Sequence, residues 1–158
     1  MQASLLRELH ARRFSIHARW EDLLRAEPVT TPLGLPDTLV HLIEATLDDI
    51  FAAFDHQSKR AWTNSSRAVA NGRPVCPCGR NPLLAYFTAA EQALREGLIL
   101  AQAACAPLDH HERDGSLEEL DAVFEQIAQR EIEAFCGLCQ FRHLALPAPV
   151  QALAIQRW

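Results

Sequence analysis

The sequence predicts an all-α protein: an antiparallel up-down four-helix bundle with a long connection between its second and third helices and a short C-terminal helix. Three observations lead there. Ala, Leu, Glu, Gln and Arg, all helix formers, dominate the composition, while Gly and Tyr are scarce. Four stretches carry apolar residues at three- and four-residue steps. Each stretch spans about 23 to 27 residues, or roughly 35–40 Å at 1.5 Å per residue, and matched lengths suit a bundle.

The first helix is expected over residues 4–26, with Leu5, Leu6, Leu9, Ile16, Trp20, Leu23 and Leu24 on its stripe and Phe14 off it. Residues 27–36 hold three prolines and a Gly, a linker by composition. The second helix is expected from Asp37, read as its N-cap, and fades between Lys59 and Trp62. Leu39, Leu42, Ile43, Thr46, Leu47, Ile50, Phe51 and Phe54 make the cleanest stripe in the chain. Residues 63–80 show no periodicity and form the long connection. The third helix opens at Asn81-Pro82, an N-cap followed by Pro at the first helical position, and stops before Pro107. Residues 109–115 are polar and read as a turn. Ser116-Leu-Glu-Glu119 is a capping-box pattern that opens the fourth helix, which carries Leu120, Phe124, Ile127, Ile132 and Phe135 to about Phe141. Pro147 and Pro149 break the chain, and residues 150–158 form the short last helix.

With 158 residues the chain is expected to be one domain over 1–158, large enough to bury a core without help from a metal. A net charge of −5 argues against nucleic acid as a partner. Fourteen Arg against one Lys is the usage of a GC-rich, bacterial genome. No stretch approaches the roughly 18 apolar residues of a membrane span, and residues 1–13 lack the features of a signal peptide. A cytoplasmic chain is the expectation, and there paired cysteines are metal-binding or redox-active before they are structural disulfides.

Four of the five cysteines form two tight pairs, Cys76-Pro-Cys78 and Cys136-Gly-Leu-Cys139. In an up-down-up-down bundle, the 2–3 connection and the end of the fourth helix share a pole, so the pairs converge there. Cys136 and Cys139, three residues apart, lie on one helical face. Four thiolates from two short-range pairs suit a closed tetrahedral zinc site. The expected ligands are therefore Cys76, Cys78, Cys136 and Cys139, holding structural Zn2+. His143 is the substitute for one sulfur, and His56 a weaker one. Gly79 allows a tight turn after the first pair, and the dipole of the following helix favours a Cys78 thiolate. Arg80 would offset part of the site's negative charge. The competing readings are a redox pair or disulfide, and inert core thiols. An iron–sulfur cluster suits the ligands less well, because neither pair has a ferredoxin spacing. Cys105 reads as core.

Other clusters carry less. Asp109, His110, His111 and Glu112 read as a solvated turn, and His41 as a structural histidine. Glu-x-x-His pairs, a Walker loop and a dinucleotide fingerprint are absent from the sequence. Trp20 and Trp62 read as anchors, and Trp158 as a side chain that docks in a groove of its own bundle or of a second copy. The expected function is non-enzymatic: a zinc-stabilised bundle with a regulatory or adaptor role, binding a protein partner and open to homodimer formation. A thiol-based redox sensor or oxidoreductase, and a ligand-sensing module of a bacterial signalling pathway, are the alternatives.

Overall fold

Apolar periodicity and good helix formers give a chain that is helical throughout its core. The structure is a computed structural model that describes residues 1–29, 34–57, 80–105 and 108–138, and no strand occurs among them.

The first expected helix is two. α1 (Ala3–Ala11) and α2 (Arg13–Ala26) meet at Arg12, whose backbone leaves the α region at φ −93°, ψ 3°. The Arg12 N–H donates to Leu9 O at 3.1 Å, a tighter turn than the α-helix makes. The apolar stripe survives the break, with Leu5, Leu6 and Leu9 buried before it and Ile16, Trp20 and Leu24 after it. Phe14, off the stripe, is 85 % exposed.

α3 (Pro36–Leu39) passes through a 3-10 turn at Val40–Leu42 into α4 (Ile43–Gln57). Leu35, not Asp37, is the N-cap residue, because Pro36 occupies the first helical position. Asp37 lies inside the first turn, where an acid suits the helix dipole, and it accepts from Arg25 at 3.0 Å.

α5 (Pro82–Ala104) opens as expected on Asn81, whose side chain accepts from Leu83 N at 3.0 Å. α6 (His110–Leu138) starts six residues before the expected cap at Ser116. The working box is Asp109 with Glu112. Glu112 N donates to Asp109 Oδ1 at 2.7 Å, and Asp109 N to Glu112 Oε2 at 2.9 Å. Ser116 is instead buried within the helix, donating to Arg113 O and accepting from Gln102, each at 2.8 Å.

Side-chain pairs give the helix directions. Against α2, the chain from Asp37 through α4 runs antiparallel: Arg25 meets Asp37, His17 meets Glu44 and Arg13 meets Asp48. α5 is also antiparallel to the first pair of helices, with Trp20 at Tyr86, Ile16 at Gly97 and the start of α1 near Ala104 and Cys105. α6 is antiparallel to α5, since Asn81 meets Ile132, Phe87 meets Phe124 and Gln102 meets Arg113. α4 and α5 therefore point the same way, which corrects the expected up-down-up-down order. α3 and α5 begin, and α6 ends, at one pole; α1 and α6 begin, and α5 ends, at the other. Gln57 and Pro82 lie toward opposite poles.

The core between the helices is aliphatic and aromatic. Trp20, Tyr86, Phe54, Leu9, Ile43, Leu47, Leu94 and Leu98 are each almost fully enclosed, and burying such a side chain stabilises by roughly 1.5–3 kcal/mol. The rims carry arginine bridges between helices, among them Arg19–Glu96 at 2.7 Å and Arg95–Asp121 at 2.8 Å. The Arg19 guanidinium, helped by Gln92, holds the Glu96 carboxyl below its usual range. No described helix is long and apolar enough to cross a membrane.

Candidate functional site

The pole where α6 ends is built around Asn81. It is 4 % exposed, one of two buried polar side chains among the described residues. Its oxygen caps α5, as its place before Pro82 requires. Its amide nitrogen does something else. Nδ2 donates to Ile132 O at 3.3 Å and toward Cys136 Sγ at 3.4 Å, tying the first residue of one helix to the last two turns of another. One side chain thus satisfies an orphan N–H of α5 and a carbonyl of α6, and leaves an N–H pointing at a sulfur.

Cys136 is half-buried and packs on the edge of the core. It is neither enclosed as an inert core thiol would be nor fully open to solvent. An amide donor beside a cysteine sulfur is the outer-shell contact that supports a thiolate bound to a metal. Cys76, Cys78, Cys139 and His143 lie outside the described residues, as do the long connection over 63–79 and the short helix expected over 150–158. His56 belongs to α4. Among the described residues, no three His, Cys, Asp or Glu side chains gather as a metal site would.

The expected convergence of the cysteine pairs rested on a bundle order that the helix directions correct. Cys78 is three residues from Asn81 and Cys76 five. At about 3.3–3.6 Å per extended residue their reach from Asn81 is at most about 11 Å and 18 Å. Asn81 itself touches Cys136. The chain itself thus ties residues 76 and 78 to Asn81, whatever path the preceding residues take.

No known protein family, characterised protein or solved structure gives a significant match to this chain.

The other sequence candidates fall elsewhere. Asp109 and Glu112 are occupied as the reciprocal cap of α6, which accounts for the acidic residues of that cluster; His110 and His111 beside them are exposed. His41 is exposed on the 3-10 turn. Cys105 ends α5 and is half-buried against the core, at the pole opposite Cys136. Trp20 is a core anchor, donating its indole N–H to Tyr86 O at 3.1 Å.

Sequence reasoning missed one feature. A groove of about 360 Å³ opens between α3, α4, the start of α5 and the end of α6, with Leu42, Leu83, Ile127 and Phe135 among its walls. Tyr86 and Thr46 share a hydroxyl hydrogen bond of 2.9 Å at its side. Its signal was faint but present: Leu42 and Phe135 are apolar at the margins of their stripes, where a helix buries less of its surface.

Proposed function

We propose that the chain is a non-enzymatic helical bundle clasped at one pole by a structural zinc ion. Cys76, Cys78, Cys136 and Cys139 are the ligands, with His143 able to replace one sulfur. The helices form a four-helix bundle of up-down-down-up order, α1 and α2 counting as one bent member. The observation that carries the reading is the Asn81 amide directed at Cys136, a few residues from where Cys76 and Cys78 enter. Zinc held by four sulfurs has no open coordination position, so it supplies cross-linking and not Lewis-acid chemistry. The clasp would join the entry of α5 to the end of α6, as the Asn81 side chain does without metal. A rigid bundle of this kind serves as a regulatory or adaptor module in the cytoplasm, offering its surface to a protein partner or to a second copy.

The test is metal content together with thiol protection. Purified without chelator, the protein should carry about one zinc per chain, with four thiols shielded until a chelator is added. Chelation should then lower stability by about 4 kcal/mol if free zinc stood a thousandfold above its Kd. Cys136→Ser should lose most of the zinc. Asn81→Asp keeps the cap acceptor but loses both donations, and should weaken zinc binding about tenfold or more. Metal-free protein with a reversible disulfide would replace this reading with the thiol-redox one, and a brown preparation would replace zinc with iron–sulfur.

A further inference from the structure

We infer that the groove between α4, α5 and α6 is the docking site of the chain's own segment 150–158. Three observations independent of the metal reading favour this occupant over others. The first is placement. Phe135 walls the groove and stands three residues before the end of α6 at Leu138. Eleven residues, 139–149, separate Leu138 from Val150, a reach of up to about 36 Å. Pro147 and Pro149 end any helix before Val150 and let the chain turn back.

The second is shape. Val150, Leu153, Ala154 and Trp158 recur at helical spacing and form one face, apolar except for Arg157. A nine-residue helix is about 13 Å long, and the α6 wall from Ile127 to Phe135 rises about 12 Å. The walls are apolar where that face would rest: Leu42 is 43 % exposed there, a large apolar side chain without full cover.

The third is charge. The groove carries Asp49 and Glu131, and among the described residues these two carboxylates share one guanidinium, that of Arg130, at 3.1 and 2.9 Å. The rim so counted is one negative charge in excess. Residues 139–158 contain Arg142 and Arg157 and no acid at all, in a chain of net charge −5. Arg157, four residues after Leu153 and three after Ala154, lies on that same face and is the group that would meet this rim.

Hydrogen–deuterium exchange on the full chain tests the inference. Amides of 150–158 should exchange at least about tenfold more slowly than in a synthetic peptide of the same sequence. Leu42→Glu, a change at a partly exposed site, should return them to peptide rates while α5 stays protected. Trp158→Ala, which leaves every described core residue in place, should do the same. Arg157→Glu should weaken protection, and Glu131→Arg in the same chain should restore it. Peptide-like rates in the unaltered chain would overturn the inference, as would protection that Leu42→Glu leaves intact. Protection that appears only as concentration rises, with a doubled mass, would also overturn it and assign the groove to a second copy.

Discussion

Tyr86 is the chain's single tyrosine and is 1 % exposed. Its backbone oxygen receives the Trp20 indole, its hydroxyl pairs with Thr46, and its ring lies 4.7 Å from Trp20 and 5.1 Å from Phe87. Burial pushes its phenol above the ordinary value of 10.0, outweighing the opposite pull of the Thr46 hydrogen bond. The folded state thus keeps the proton that the unfolded state gives up. The stability linked to Tyr86 is complete below pH 10 and is lost as pH rises from there toward the folded value. Its slope is at most about 1.4 kcal/mol per pH unit. Alkaline titration by phenolate absorbance should show Tyr86 ionising only together with loss of helix. Tyr86→Phe should remove the slope and cost about 1 kcal/mol at neutral pH for the lost hydroxyl bond. A phenolate that forms near pH 10 in the folded protein would contradict the enclosure. Asn81 shows how far a residue is legible alone. Its capping role follows from the Asn-Pro pair. Its reach to Ile132 and Cys136, more than fifty positions away, depends on how two helices cross.

Among the elements, α6 starts earlier than its sequence pattern predicts, for a definable reason. Its apolar stripe begins at Leu117, so the turns before it face water and carry no periodic signal, while Gly115 invites a turn reading. Asp109 with Glu112 held the right spacing for a cap, but Ser116 with Glu119 held it too, and stood next to the stripe. The glycines separate helix propensity from packing. A Cβ on Gly97 would lie 2.6 Å from Ile16 Cγ1 and 2.7 Å from its Cδ1, so the absent side chain lets α2 approach α5 closely. Ile16 is β-branched and 1 % exposed, with little room to yield. Gly97→Ala should therefore destabilise by about 1–2 kcal/mol, overpacking exceeding the gain in helix propensity. In an Ile16→Ala background the same change should become neutral or stabilising. Gly115 and Gly137 have nothing within 4 Å of a built Cβ, and Gly115→Ala should stabilise by up to about 1 kcal/mol. Urea denaturation of the five chains, the original and the Ile16→Ala background included, reads all of this, and a Gly97→Ala protein as stable as the original would refute the close approach.

For the molecule as a whole, the sequence shows that helices form and which faces they bury, because both are local and periodic. It does not show which way each helix runs. Direction is decided by contacts such as Arg13–Asp48 and Thr46–Tyr86, which leave no local trace. Matched lengths favoured alternation, and alternation was wrong at the step from α4 to α5. The parallel pair has a consequence for the connection. Thr46 lies beside Tyr86, so on parallel helices Gln57 stands about eleven residues past that level and Pro82 four before it. The two ends are then separated by about 22 Å along the axis at 1.5 Å per residue. A three-residue linker reaches about 10 Å and cannot bridge them, whereas a twelve-residue linker reaches about 40 Å and can. Replacing residues 58–80 by eleven Gly and Ser residues, which with Asn81 make a twelve-residue connection, should leave helix content and monomeric mass equal to those of the chelator-treated parent. Replacing them by two, a three-residue connection with Asn81, should abolish the monomer, either by unfolding or by exchange of α5 and α6 between two copies. In an alternating bundle Gln57 and Pro82 would be neighbours and the three-residue linker would suffice. A stable monomer with that short linker would thus restore the alternating order and overturn the parallel one.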